Sequence, residues 1–280
     1  MIISASRRTD IPAFYAGWLI NRLNAGYCLV KNPFNPKQIR RVSLLPKDVD
    51  GIVLWTKNAA PLLSDIFVLD AFPYYFQYSV TPYGSDIERG LADKKSVIIP
   101  AFIKFAEHIG AERMIWRYDP ILITDKYDFA YHARAFDRLC ELLAGNTKKC
   151  VVSFAVPYKS VAKKMREAGH REFNIQEKVQ LAQTLLTIAA SHEITLCACC
   201  ELPELFELGV QPVSCVDAAL FDINAPRDKY QRNGCNCAVS VDIGAYNSCM
   251  NGCIYCYANH AEAAVRQNHA SHNLNGELLI

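Results

Sequence analysis

Apolar positions along the chain fall into two alternating rhythms. Short runs rich in Val, Ile, Phe and Tyr, with few charges, predict strands. They cover Ile2–Ala5, Ile52–Trp55, Tyr74–Val80, Met114–Tyr118, Val151–Val156, Ile194–Ala198, Val213–Val216 and Val239–Ile243. Such continuous apolar content is what strands covered on both faces require. Between most of them, apolar residues recur at helical spacing. One helix begins near Pro12 and stops at Gly26, and others span Ser96–Ile109, Asp128–Ala144, Tyr158–Ala168, Asn174–Ala190 and Ala258–Gln267. Thr9 or Asp10 stands where a helix cap belongs, with Pro12 in the first turn.

Strands alternating with helices in this way predict an α/β protein, either a (β/α)8-type barrel or an open sheet. The seventh strand is the least regular, because its link to the sixth is short. No linker or low-complexity segment divides the chain. The expectation is therefore one α/β barrel domain over residues 1–280, with a cysteine-rich region over 197–256.

Composition narrows the function. The 280 residues carry 30 Lys+Arg against 28 Asp+Glu, a net charge of +2, and 51% are hydrophobic. A near-neutral, apolar-rich chain is neither a nucleic-acid coat nor an acidic disordered tail, so nucleic acid is not the expected partner. No apolar stretch approaches the length of a membrane span. The opening Met1-Ile2-Ile3-Ser4-Ala5-Ser6-Arg7-Arg8 lacks the order of a secretory signal, since its charges follow its apolar residues. A cytoplasmic protein is expected.

The cysteines change the picture most. Of twelve, Cys28, Cys140 and Cys150 are scattered, while nine lie between Cys197 and Cys256. In a chain of this length such crowding signals metal or redox chemistry more than disulfides. The sharpest motif is Cys249-Met-Asn-Gly-Cys253-Ile-Tyr-Cys256. On a loop, thiolates at these spacings can wrap three corners of a [4Fe–4S] cubane and leave the fourth iron open. Zinc, which favours four ligands, is a rival for the same residues, as are unligated core thiols.

This segment resembles the signature of the radical S-adenosylmethionine (SAM) superfamily: three cysteines at this spacing, with an aromatic residue, here Tyr255, before the last. The setting agrees, with a strand before the loop and a helix after it. That family usually carries the motif after its first barrel strand, whereas here it stands near the end. A circular permutation would reconcile the two, with the last strand acting as first and Ile2–Ala5 as second. The whole chain also resembles an uncharacterised bacterial family, domain of unknown function 1848. It shares that family's opening Ile-Ser-Ala-Ser-Arg-Arg-Thr-Asp-Ile-Pro and its closing cysteine cluster.

The resemblance implies a [4Fe–4S] cluster on Cys249, Cys253 and Cys256 with SAM on the open iron. Groups just past the strands would then bind the cofactor. Arg7, Arg8, Lys57, Gln77, Ser79, Arg117, Asp119 and Tyr255 are the candidates, with Asp10, Ser153 and Glu201 at equivalent positions. Arg or Lys suits a carboxylate, and an acid suits ribose. The family's Gly-Gly-Glu-like segment is absent, and in the permuted frame Ser4-Ala5-Ser6-Arg7-Arg8 takes its place. Asp10 or Thr9 as a helix cap, Arg7 with Asp10 or Arg117 with Asp119 as an ion pair, and a solvated Lys57 are the plainer alternatives.

A second set remains. Cys200, Cys215, Cys235 and Cys237, with Cys199 as alternate for Cys200, lie near predicted strand ends and would close a second metal centre. A second [4Fe–4S] cluster, zinc and metal-free core thiols all stay open there. The sequence thus predicts a radical SAM-type enzyme with an electron donor such as flavodoxin or ferredoxin. Its substrate, a small molecule or peptide, and its catalytic side chain are not assigned. An iron–sulfur electron carrier and a zinc-stabilised binding module are the alternatives.

Overall fold

A computed structural model describes residues 1–232 and 234–280. Its main sheet has eight strands, all parallel, in the order β10-β1-β4-β5-β6-β7-β8-β9. These are β1 (Ile2–Ala5), β4 (Gly51–Thr56), β5 (Tyr74–Ser79), β6 (Met114–Ile121), β7 (Lys149–Phe154), β8 (Thr195–Ala198), β9 (Gln211–Pro212) and β10 (Ser240–Asp242). A separate antiparallel hairpin joins β2 (Tyr27–Asn32) to β3 (Asn35–Ser43). The helices are α1 (Ile11–Phe14), α2 (Ala16–Ala25), α3 (Ile66–Leu69), α4 (Ile99–Ile109), α5 (Phe129–Leu143), α6 (Ala162–Glu167), α7 (Ile175–Ser191), α8 (Pro203–Glu207) and α9 (Glu262–Ala270).

The pleat sorts each strand's side chains into two cores. Ile3, Leu54, Phe76, Trp116, Val152 and Leu196 face outward, into one apolar cluster with Trp18, Phe102, Phe136 and Leu185 of the helices. Their neighbours Ile2, Val53, Tyr75, Ile115, Val151 and Cys197 face inward and meet one another. That convergence makes the sheet compatible with a (β/α)-type barrel. Among the described residues β9 and β10 share no ladder. The chain between them folds into the interior instead. Phe221 fills the space against Tyr75, 5.2 Å between ring centroids, and leaves no room for a Cβ at Gly51.

Most predicted strands are present within a few residues. The seventh is not where the sequence put it. β9 covers Gln211–Pro212, and the expected run Val213–Val216 leaves the sheet after the Val213 N–H bonds the Ala198 carbonyl at 3.0 Å. Interior side chains then satisfy its backbone: Tyr75 Oη and Gln77 Nε2 both donate to the Cys215 carbonyl, at 3.0 and 2.9 Å. The expected helix at Ala258 begins at Glu262, because 258–261 close the cysteine loop. The helix from Pro12 divides at Tyr15 into α1 and α2. Neither strand of the hairpin was expected; the solvent-facing, charged residues of β3 hide its rhythm.

Cys28, Cys140 and Cys150 are buried in the outer core. Burial pushes the Cys28 and Cys140 thiols up to about 12. They are packing groups. No helix among the described residues is long and apolar enough to cross a membrane.

Candidate metal and cofactor site

Parallel strands point their C-termini the same way, so the segments that follow them meet at one end. There they line a cavity of about 620 Å³. Its walls include Arg7, Trp55, Lys57, Ser79, Arg117, Asp119, Tyr255 and Tyr257, together with Cys249, Cys253 and Cys256 and four other cysteines, Cys199, Cys215, Cys235 and Cys237. Both cysteine sets therefore open into one space.

The motif loop follows β10 and is fastened on three sides. Asp10 caps α1 through the Ala13 N–H and also accepts from Thr56 Oγ1, the Lys57 N–H and Asn251 Nδ2. One buried carboxylate thus joins the ends of β1 and β4 to the motif. Burial holds it above the usual carboxylate range, against the pull of those hydrogen bonds. On a second side, Gly90 N–H donates to the Asn251 carbonyl and Ile254 N–H to that of Ile87, at 2.9 and 3.0 Å. A Cβ on Gly90 would stand 2.2 Å from the Met250 carbonyl oxygen, so the close approach requires glycine. On the third, Asn259 and Asn268 donate to the Cys249 and Asn247 carbonyls.

The motif thiols are half-buried. Burial, then Asp10 and Cys256, pushes Cys249 up to about 12. Burial likewise raises Cys253 and Cys256. Opposing this, backbone N–H groups of Asn251 point at Cys249, and those of Ala258 and Asn259 at Cys256. Amides aimed at sulfur favour thiolates. A second opening of about 200 Å³ reaches Cys249 and Cys253 from the other side, between Arg89, Lys164 and Arg266.

Tyr255 Oη donates to Glu88 at 2.5 Å. Glu88, which sequence reasoning missed, is almost fully buried and binds Lys57 Nζ at 2.8 Å, Lys94 Nζ at 2.9 Å and Thr81 Oγ1. Burial alone would raise its carboxyl; Lys57 and Lys94 overcome that and hold it at about 2. Lys57, proposed from sequence as a cofactor contact, is thereby committed to an internal ion pair.

The other candidates divide the same way. Arg8 is spent on Asp242, at 3.0 Å. Asp242, also missed, gathers Ser4 Oγ, Ser6 Oγ and the Arg7 and Gly244 N–H groups as well. Its place just before the cysteine loop was the available signal. Arg117 is held bidentately by Asp119 and reaches Gln77 Oε1 at 3.0 Å and Cys215 Sγ at 3.3 Å. Asp10 and Glu201 are tied down too; Glu201 accepts from the Phe154 N–H at 3.1 Å. Ser153 Oγ lies 3.4 Å from Asp119. Ser79 lines the cavity. Among the described residues the Arg7 guanidinium has no carboxylate at ion-pair distance, and it lies 5.1 Å from the Trp55 ring centre.

In the second set, Cys199, Cys235 and Cys237 are buried with their sulfurs all within 4.8 Å of one another. This triad could hold a metal ion or cluster. Cys200, the preferred ligand from sequence, lies outside it, 3.6 Å from Cys199 alone. Its φ of +57° turns the chain away from the strand direction that carries Cys197 and Cys199 inward. Direct contact with Cys215 and Cys237 pushes the Cys199 thiol up, and contact with Cys199 and Cys215 pulls Cys237 down.

No curated protein and no solved structure is significantly similar to this chain. One family model matches residues 2–258, which spans both cysteine sets and every strand of the sheet. The chain belongs to the family described as domain of unknown function DUF1848.

Proposed function

We propose that the protein is a radical SAM-type enzyme, with a [4Fe–4S] cluster on Cys249, Cys253 and Cys256 and SAM beside it. The observation that carries this reading is the opening of the three-thiol loop into a 620 Å³ cavity holding an unpaired arginine. The residues fit the group. Cys249 and Cys256 receive backbone N–H donors, and the space is that of a nucleoside-sized ligand.

Bound there and reduced by an external electron donor, the cluster and SAM would supply one-electron cleavage of the sulfonium and so the means to abstract hydrogen from substrate. The chain's own residues bind, orient and exclude water. Arg7, with no carboxylate at ion-pair distance among the described residues, is a cation available to take a carboxylate. Trp55, Tyr255 and Tyr257 supply apolar walls. Glu88 fixes the Tyr255 ring by its hydroxyl and ties down Lys57 and Lys94. Arg117, Asp119 and Gln77 act as a rigid floor rather than as ligands.

The permuted barrel is part of this reading. It requires the last strand to pair beside the first, and β10 does pair parallel with β1, Ile2 opposite Ser240. A flavodoxin or ferredoxin would supply electrons, and a small molecule or peptide would be the substrate, in the cytoplasm. The test is anaerobic reconstitution with iron and sulfide, then dithionite and SAM. The expected product is 5′-deoxyadenosine, lost when Cys253 is replaced by Ala and weakened in apparent SAM affinity in Arg7→Met. A bound cluster with no 5′-deoxyadenosine would leave an electron carrier, and no cluster would end the reading altogether.

A further inference from the structure

We propose that Cys199, Cys215, Cys235 and Cys237 bind a single tetrahedral divalent ion, zinc by its preference for thiolates, which pins Cys215 and the stretch 235–237 inside the sheet. This site is separate from the motif and stands whether or not the motif carries a cluster.

Three observations lead to it. First, the Cys199, Cys235 and Cys237 sulfurs lie mutually within 4.8 Å. That range closes on one ion at a bond of about 2.3 Å with small adjustments, and it leaves no room for a cubane between them. Second, the fourth ligand is specified. Cys215 lies outside the 4.8 Å group but interacts with both Cys199 and Cys237 and lines the cavity they line, whereas Cys200, 3.6 Å from Cys199, does not line that cavity. Third, the sulfurs already have the donors that metal-bound thiolates use. Val216 N–H reaches Cys237 Sγ at 3.4 Å, Cys237 N–H reaches Cys235 Sγ at 3.4 Å, and Arg117 Nη1 reaches Cys215 Sγ at 3.3 Å.

The surroundings favour a structural ion. Ile2, Val53, Ile115, Val151 and Phe221 form an apolar wall around these cysteines, and four protein ligands leave no position for substrate. Among the described residues, the segment between β9 and β10 has one short 3₁₀ turn, Ala218–Phe221, with Cys215 at its start and Cys235 and Cys237 near its end. Joining strand β8, through Cys199, to Cys215, Cys235 and Cys237 closes two loops at once. A bound ion then contributes its binding free energy to folding.

The test uses the full chain with Cys249, Cys253 and Cys256 all replaced by Ala, so that no cluster on the motif can contribute. Expressed with zinc, this variant should retain about one metal per chain and no acid-labile sulfide. Exchange with cobalt(II) should give the visible bands of tetrahedral tetrathiolate coordination. Cys215→Ser and Cys235→Ser should lower metal content several-fold, while Cys200→Ser leaves it unchanged. If those variants do not fold, alkylation of the unsubstituted chain decides. Zinc should protect the four thiols, and a chelator should remove that protection. Several irons with sulfide in the triple variant, a disulfide among the four, or free alkylation in the zinc-loaded chain would each overturn the proposal. None of these readouts depends on SAM cleavage.

Discussion

Glu88 shows how a single buried charge can be held in place and still be indispensable. Its carboxylate is about 1% exposed and faces two ammonium groups. Removing one partner of such a set strands the others, which costs about 3–5 kcal/mol. Glu88→Gln should therefore destabilise the fold by that amount, read as a lower urea midpoint with unchanged slope. His132 gives a pH dependence. It is fully buried, its Nε2–H donates to the Leu122 carbonyl at 2.7 Å, and Nδ1 accepts from Tyr118 Oη at 2.8 Å. Burial holds its pKa below the usual 6.5, against the pull of that carbonyl. The unfolded chain then binds the proton more readily, so this contribution is whole above about pH 6.5 and is lost as pH falls below it. Urea unfolding between pH 7.5 and 5 should show the decline, and His132→Gln should flatten it. An unchanged slope in that variant would assign the decline elsewhere.

Among elements, the brace at residues 87–90 and the motif loop work as one unit. Glu88 pairs across the backbone with Cys253, and Gly90 packs against Met250. Gly90→Ala should push the loop away, costing about 1–3 kcal/mol as overpacking. Iron per chain after reconstitution should fall along with it, while far-ultraviolet circular dichroism stays that of the parent. Full iron loading in that variant would mean the loop yields freely. This brace was invisible in the sequence, because residues 81–93 carry neither a strand nor a helix rhythm. The sheet strands were legible for the opposite reason: burial on both faces demands continuous apolar residues, and the sequence supplies them.

At the scale of the whole molecule, the chain beyond the family match has a job. Residues 271–280 cross α2 and reach the hairpin. The Gly276 carbonyl accepts from Trp18 Nε1 at 2.9 Å, the Glu277 carbonyl from the Leu29 N–H at 2.8 Å, and Leu279 is buried in the outer core. A chain ending at residue 270 should lose about 2–3 kcal/mol, near the value of one buried leucine. Calorimetry should show a lower melting temperature, and an unchanged one would make the tail dispensable.

The amino-acid sequence alone determined the α/β class, the positions of most strands and the three-cysteine loop with its aromatic neighbour. Those features are local: periodicity and spacing are written in consecutive residues. It also pointed to the strand ends as the place for chemistry, since a parallel sheet allows no other common end. Only tertiary structure decided which of those residues are free. Lys57, Arg8 and Arg117 look alike in sequence beside Arg7, yet the first three meet Glu88, Asp242 and Asp119. The partners of Lys57 and Arg8 lie 31 and 234 residues away, beyond any local pattern, whereas Asp119 stands 2 residues from Arg117 and that pair was already among the alternatives the sequence offered. The choice of Cys199 over Cys200 was equally out of reach, because it turns on one backbone dihedral at the end of β8. Where the pairing is distant or hangs on a single turn, packing alone assigns the roles.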